Sequence, residues 1–308
     1  MSDGLLAACK FLAMYEATQG AGTNWERHAL GILKIVEVRG AVAHQTGLAH
    51  ALFLDARYQG IAASIRRRVP TFLSSEEWCT IPFKIEGKDV RHELLDIMAE
   101  IPRLQTDLSC LGKISESAQG AVDRRASFFL LCRSIRRRLG EWLGHVRAKY
   151  DVDRVALIEE GIPENFPLSN ITLAHTMSLY WTSMLLVNFQ EFLGLRDVPV
   201  PTRSIPSKDY FDNAVTLEIL PYILYIAKSV PYFFQPEAGS LSPQLFSFPL
   251  GVAVSVAADT NAHFVPEYRR LLKAFSKGVA GEQIRKFLTS LQLLADSGDK
   301  GQSSSFHP

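Results

Sequence analysis

The stretch "RRASFFLLCRSIRRRLGEWLGHVRAKY", residues 124–150, decides the fold class. Phe128, Leu131, Cys132, Ile135, Leu139, Trp142, Leu143 and Val146 recur three and four positions apart, the spacing that puts side chains on one face of an α-helix. Between them stand arginines. Arg133 and Arg137 project away from the apolar stripe, whereas Arg136 and Arg138 flank its edges, where their stems cover apolar neighbours and their guanidiniums reach water. The run therefore reads as the solvated face of an amphipathic helix.

The same five residues, Ser-Ile-Arg-Arg-Arg, occur earlier at Ser64–Arg68. There they close a helix: three cations sit in its last turn, where the negative end of the helix dipole favours them, and Pro70 forbids continuation. In "TFLSSEEW" the chain turns again, with Ser74 or Ser75 placed to cap and Glu76 and Glu77 at the positive start of the next helix.

Helical spacing dominates elsewhere too. Helices are expected over 3–19, 24–39, 47–68, 90–104, 115–149, 170–194, 207–227, 249–259, 265–277 and 281–297, separated most clearly by "VPVPTRSIPS" and "FFQPEAGSLSPQLFSFP". The expected fold is all-α, one large helical domain over residues 1–295. Residues 296–308, rich in Ser and Gly, have the composition of a disordered tail.

Composition narrows the function. The 308 residues carry 33 Lys and Arg against 32 Asp and Glu, a net charge of +1, which is not the basic footprint of an autonomous DNA-binding domain. Cys9, Cys79, Cys110 and Cys132 are scattered, without the paired spacing of a zinc site, so neither a metal nor a disulfide framework is expected. No basic segment precedes the first apolar run, which argues against a secretory signal. The apolar windows near 217–234 and 248–259 are broken by Pro221, Lys228 and Pro231 or are too short to cross a bilayer. A location in nucleus or cytoplasm follows as an expectation, with no membrane partner.

At Pro70–Phe83 the chain resembles a known family. A helix ending in Arg, then Pro-Thr-Phe-Leu, a short acidic turn, Trp78 and Ile81-Pro82-Phe83, resembles the regulatory region of the fungal Zn2Cys6 (binuclear zinc cluster) transcription factors. "LLAACKFLAMYEATQG" and "NWERHALGILKIVEVRG" resemble the opening helices of that region, and "LLDIMAEIPRL" its next helix. "NITLAHTMSLYWTSMLLVNF" resembles the helix with the Tyr-Trp pair, and "FSFPLGVAVSVAAD" the late Pro-Leu segment. The resemblance implies an all-α regulatory domain that responds to a hydrophobic small molecule or a protein partner, a second copy in a homodimer among them, in control of secondary metabolism. The family reads DNA through a six-cysteine cluster, which four scattered cysteines cannot supply, so no direct DNA binding is expected.

The alternative keeps such a scaffold for chemistry, as a cofactor-free cyclase or pericyclase that folds a hydrophobic precursor in an aromatic interior. No GxSxG elbow, phosphate loop or HExxH helix is present. The candidate catalytic residues are His175, which shares a helical face with Leu179, Thr182 and Leu186, together with Tyr180 and the pair Asp259 and His263, four positions apart. Trp181, Phe189, Tyr222 and Tyr225 are the candidate ligand-binding aromatics of the second half. Asp209 and Asp212 have the spacing of a magnesium-diphosphate pair but lack a second acidic segment, and His28, His44 and His50 read as structural histidines.

Overall fold

A computed structural model describes residues 3–18, 24–111, 118–150, 155–156, 158–196, 215–239 and 242–260. Among them every regular element is helical and none is a strand, so the fold is all-α. The chain divides into two compact units, one formed by Met1–Val155 with Ser183–Thr216, the other by Ala156–Thr182 with Leu217–Pro308. The expected tail at 296–308 and the helices expected over 265–277 and 281–297 lie outside the described residues.

The first unit begins with α1 (Asp3–Thr18), α2 (Asn24–Arg39) and α3 (Gly47–Arg67), each packed on the next. After α3 come a 3₁₀ turn at Phe72–Ser74, α4 (Glu76–Thr80) and a second 3₁₀ turn at Ile81–Phe83. The helices α5 (Val90–Met98) and α6 (Ile101–Leu111) both pack on the long α7 (Ala118–Lys149). The stripe read from α7 is its buried face: Phe128, Cys132, Ile135, Leu139, Trp142 and Val146 are all at most 2 % exposed, with Leu131 and Leu143 half-buried beside them. At roughly 1.5–3 kcal/mol per large apolar side chain, this seam is a major part of what holds the unit together.

Local chemistry sets the boundaries. Arg68 ends α3 in the left-handed conformation (φ 54°), its N–H donating to the Ile65 carbonyl at 3.2 Å while the Val69 N–H donates to the Ser64 carbonyl at 3.1 Å. Thr71 caps the turn that follows by accepting from the Leu73 N–H, while Ser75 stands at the start of α4 without a side-chain cap bond. Asp89 caps α5 by accepting from the His92 N–H at 2.8 Å. The single helix expected over 90–104 is two helices. Pro102 can neither donate to nor pack beneath the Met98 carbonyl four residues earlier, so the chain turns at Ala99–Glu100 and restarts.

The helix α8 (Ile171–Arg196) contributes residues up to Thr182 to the second unit and the rest to the first. It is buried on every side from Leu173 to Gln190, as expected of a helix apolar all round. Its hydroxyls are satisfied within the helix: Thr176 donates to the Thr172 carbonyl, Ser178 to that of His175 and Thr182 to that of Ser178, each at 2.7 Å. No helix among the described residues is long and apolar enough to cross a membrane.

A π-helical turn, Val215–Ile219, leads into α9 (Leu220–Lys228) of the second unit, followed by α10 (Val230–Phe234) and α11 (Ser242–Asp259). Pro221 near the start of α9 cannot donate to the Leu217 carbonyl, a local reason for the wider turn before it. The sequence places a helix from Pro249; the observed helix begins at Ser242, with Pro249 inside it. Phe246, Phe248 and Leu250 are buried around that proline, and Phe246 stacks on Phe233 of α10 at 4.3 Å, packing that outweighs the missing hydrogen bond.

Candidate functional site

Three of the four aromatics expected to meet a ligand come together in the second unit. Trp181 of α8, 1 % exposed, lies with its ring centroid 6.0 Å from that of Tyr225 on α9. Tyr222, one helical turn before Tyr225, meets it edge to face at 5.9 Å and 84°. Both tyrosines are half-buried, so the group runs from the interior at Trp181 to the surface at the tyrosines. We refer to it as the aromatic corner.

A strap of chain, residues 158–167, is fastened beside this corner. Gly161 adopts φ 121°, and a Cβ there would lie 2.9 Å from Cβ of Lys228 and 3.1 Å from the Tyr225 carbonyl oxygen, so only glycine permits the approach. The Ile162 N–H donates to Ser229 Oγ at 2.8 Å, and that hydroxyl donates to the Tyr225 carbonyl at 2.7 Å. Farther along, the Tyr232 hydroxyl donates to the Pro167 carbonyl at 3.3 Å and Gln235 Nε2 to the Glu164 carbonyl at 3.3 Å. Burial and then the Glu160 carboxylate push the Tyr225 phenol above its usual range, and burial pushes that of Tyr232 up to about 12. Both hydroxyls therefore remain hydrogen-bond donors at neutral pH.

The remaining candidates are dispersed. Phe189 belongs to the first unit, where it stacks on Phe192 at 6.4 Å. His175 is 1 % exposed in the second unit, and Tyr180, five positions on, occupies a different face of α8. Asp259 is exposed at the last position of α11; His263, Asp209 and Asp212 lie outside the described residues.

The first unit holds a site that the sequence reading missed. Arg57 of α3 is fully buried; it donates to the His92 carbonyl at 2.9 Å and forms a charged pair with Asp96 of α5. The other Asp96 oxygen accepts from Lys88 at 2.5 Å, and Lys88 also donates to the Cys79 carbonyl. Both cations lie over the Phe83 ring, Arg57 at 5.2 Å and Lys88 at 4.6 Å from its centroid. Burial, followed by the Asp96 charge, raises the Cys79 thiol to about 11, which makes it a poor nucleophile at neutral pH. A signal existed: Phe53, Arg57 and Ile61 are four apart, placing an arginine on an otherwise apolar face.

The arginine runs are resolved by their partners. Arg136 bonds Asn188 at 3.1 Å and pairs with Glu191, Arg138 pairs with Glu100, and Arg137 pairs with Glu141 at 2.6 Å. Arg136 and Arg138 are half-buried at the edges of the stripe, and each reaches a carboxylate there. No group of three His, Cys, Asp or Glu among the described residues is arranged to hold a metal ion.

Comparison with known proteins adds one partial likeness. The chain is 31 % identical over 91 residues to an uncharacterized protein of Emericella nidulans, a match that covers 29 % of this chain and 20 % of that protein. No family model matches the chain, and no solved structure does.

Proposed function

We propose that this chain is an all-α regulatory domain of the kind carried by the fungal zinc-cluster transcription factors, without their DNA-binding module, and that it responds to a small hydrophobic ligand at the aromatic corner. The observation that carries the reading is the assembly of Trp181, Tyr225 and Tyr222 from the interior to the surface, beside a strap fastened through Gly161 and Ser229. Rings offer a ligand apolar area at small entropic cost, and a phenol held in its protonated form supplies a directional donor. Ligand contact there would act on the strap, because Tyr225 is bonded through Ser229 to Ile162. The pairing of Arg136, Arg137 and Arg138 with carboxylates supports a role that does not grip nucleic acid through that run.

Deletion of the gene, with transcripts of neighbouring genes and accumulated metabolites measured together, tests the proposal. The expected result is a loss of transcripts, reproduced by Tyr225→Leu at unchanged protein level, with no sequence-specific gel shift by the purified chain. Unchanged transcripts with a stalled precursor that the purified protein converts would overturn it in favour of a biosynthetic enzyme.

A further inference from the structure

Three histidines of the first unit lie against one aromatic trio, and each comes from a different element. Phe53, Trp78 and Phe83 form the trio, with Phe53 at 5.8 Å from Trp78 and 6.0 Å from Phe83. His44, from the 3₁₀ turn Ala41–His44, packs on Phe53 at 5.5 Å and on Trp78 at 6.1 Å. His50 of α3 meets Phe83 at 5.9 Å, and His92 of α5 meets it at 5.7 Å. They are 0 %, 3 % and 7 % exposed. We propose that this knot is an acid-operated latch: with neutral rings it holds the Ala41–Met98 region closed on the aromatic trio, and protonation of His44 and His92 opens it.

Hydrogen bonds define the neutral state. Nδ1 of His44 lies 3.1 Å from the Ala49 carbonyl oxygen, and Nδ1 of His50 lies 2.8 Å from that of His44. Carbonyls only accept, so both Nδ1 atoms carry the hydrogen and both Nε2 atoms are bare. A second proton on His44 would enter at Nε2, which is buried without a partner of hydrogen-bonding geometry. The groups facing that ring are Arg39 and Asp3, from α2 and α1, and the Val36 carbonyl. The carbonyl and Asp3 favour the charged form, Arg39 opposes it, and burial outweighs them all, so His44 is held below the usual histidine range.

His92 is constrained more severely. Its Nδ1 is buried without a partner, and its ring faces Asp89, Arg91 and Asp96 of the α5 region and Arg57 of α3. Burial is the largest influence and the two guanidiniums add to it, bringing His92 down to about 4 against the pull of the two carboxylates. Its backbone carbonyl also accepts from Arg57, which ties this turn of α5 to the Arg57–Asp96–Lys88 hub. Nε2 of His50 lies 3.6 Å from the Glu86 carboxylate.

The sign follows from linkage. In the open chain a histidine takes up its proton near pH 6.5; in the closed one His92 does so only near 4, and His44 below its usual range. The open state therefore binds more protons through this window. The closed state has the full contribution of these rings above about pH 6.5 and loses it as the pH falls, the His92 part levelling off below about 4. Within its window His92 shifts the closed-to-open ratio by up to about tenfold per pH unit, and His44 adds to it in the same direction.

The full chain tests this by denaturant unfolding between about pH 7.5 and 4.5, together with NMR titration of the histidine ring protons. Proton uptake on opening is expected from these rings, reduced by about one proton in His92→Gln and reduced in the same direction in His44→Gln. In the control His145→Gln, at an exposed position of α7, it is unchanged. Ring signals of His44 and His92 that titrate near 6.5 in the folded protein, or a pH dependence the same in both variants as in the parent, would overturn the latch. Should a glutamine variant not fold, the ring titrations of the parent decide the matter alone.

Discussion

The hub around Asp96 and the corner around Tyr225 are two ways of building a buried site. In the first unit, one carboxylate compensates the buried Arg57 and the partly buried Lys88, and a single ring, Phe83, lies beneath both cations. In the second unit, contact is shared among rings, a glycine and one hydroxyl, with no ion pair at its centre among the described residues. Charge in a low-dielectric interior concentrates stability in one residue, because losing a partner strands the other charge. Apolar and hydrogen-bonded packing spreads it over several residues.

The sharpest way to break the contrast is Asp96→Asn, which keeps shape and removes the charge. Arg57 and Lys88 would then be uncompensated, and the expected loss is about 3–5 kcal/mol of unfolding free energy by denaturant titration. A loss below about 1 kcal/mol would show that water reaches the hub and that the two sites are not different in kind.

Gly161→Ala asks whether the corner has a brittle point of its own. The added Cβ must find room against Cβ of Lys228 and the Tyr225 carbonyl while the residue holds φ 121°. An expected cost of about 1–3 kcal/mol, with the strap released before the rest of the unit, would place that point in the backbone. Hydrogen exchange at the Ile162 amide reads the release directly, since Ser229 Oγ is its acceptor.

The all-α class was legible because the α7 stripe has one periodicity throughout, and packing buries it as read. The break before Pro102 was written in the sequence as a proline, but a long apolar pattern around it masked its effect. The start of α11 at Ser242 was not legible: Ser, Pro and Gly signal a loop, and only the fit of Phe246 on Phe233 reverses that preference. Trp181, Tyr222 and Tyr225 could be picked out by residue type. Their meeting could not, because it depends on how α8 and α9 pack. Arg57, Asp96 and His92 were passed over because charged residues are ordinarily at the surface, and pairing across a 39-residue separation has no local signature.

The smallest expected effect gives the finest test of the corner. Tyr225→Phe keeps the ring that meets Trp181 and Tyr222, and the Ser229 bond goes to the Tyr225 backbone carbonyl, which phenylalanine also has. Stability should therefore change by less than about 0.5 kcal/mol, and by the same amount at pH 6 and pH 8 (roughly the neutral range), because a phenol held above its usual range does not ionise there. If the hydroxyl orients a ligand, the ligand response falls while stability does not. That separation cannot be obtained at Asp96, where every change that touches the site also strands a charge. A stability loss as large as that of Gly161→Ala would instead make the phenol a structural partner of Glu160, and the corner would become a second site organised by one polar group.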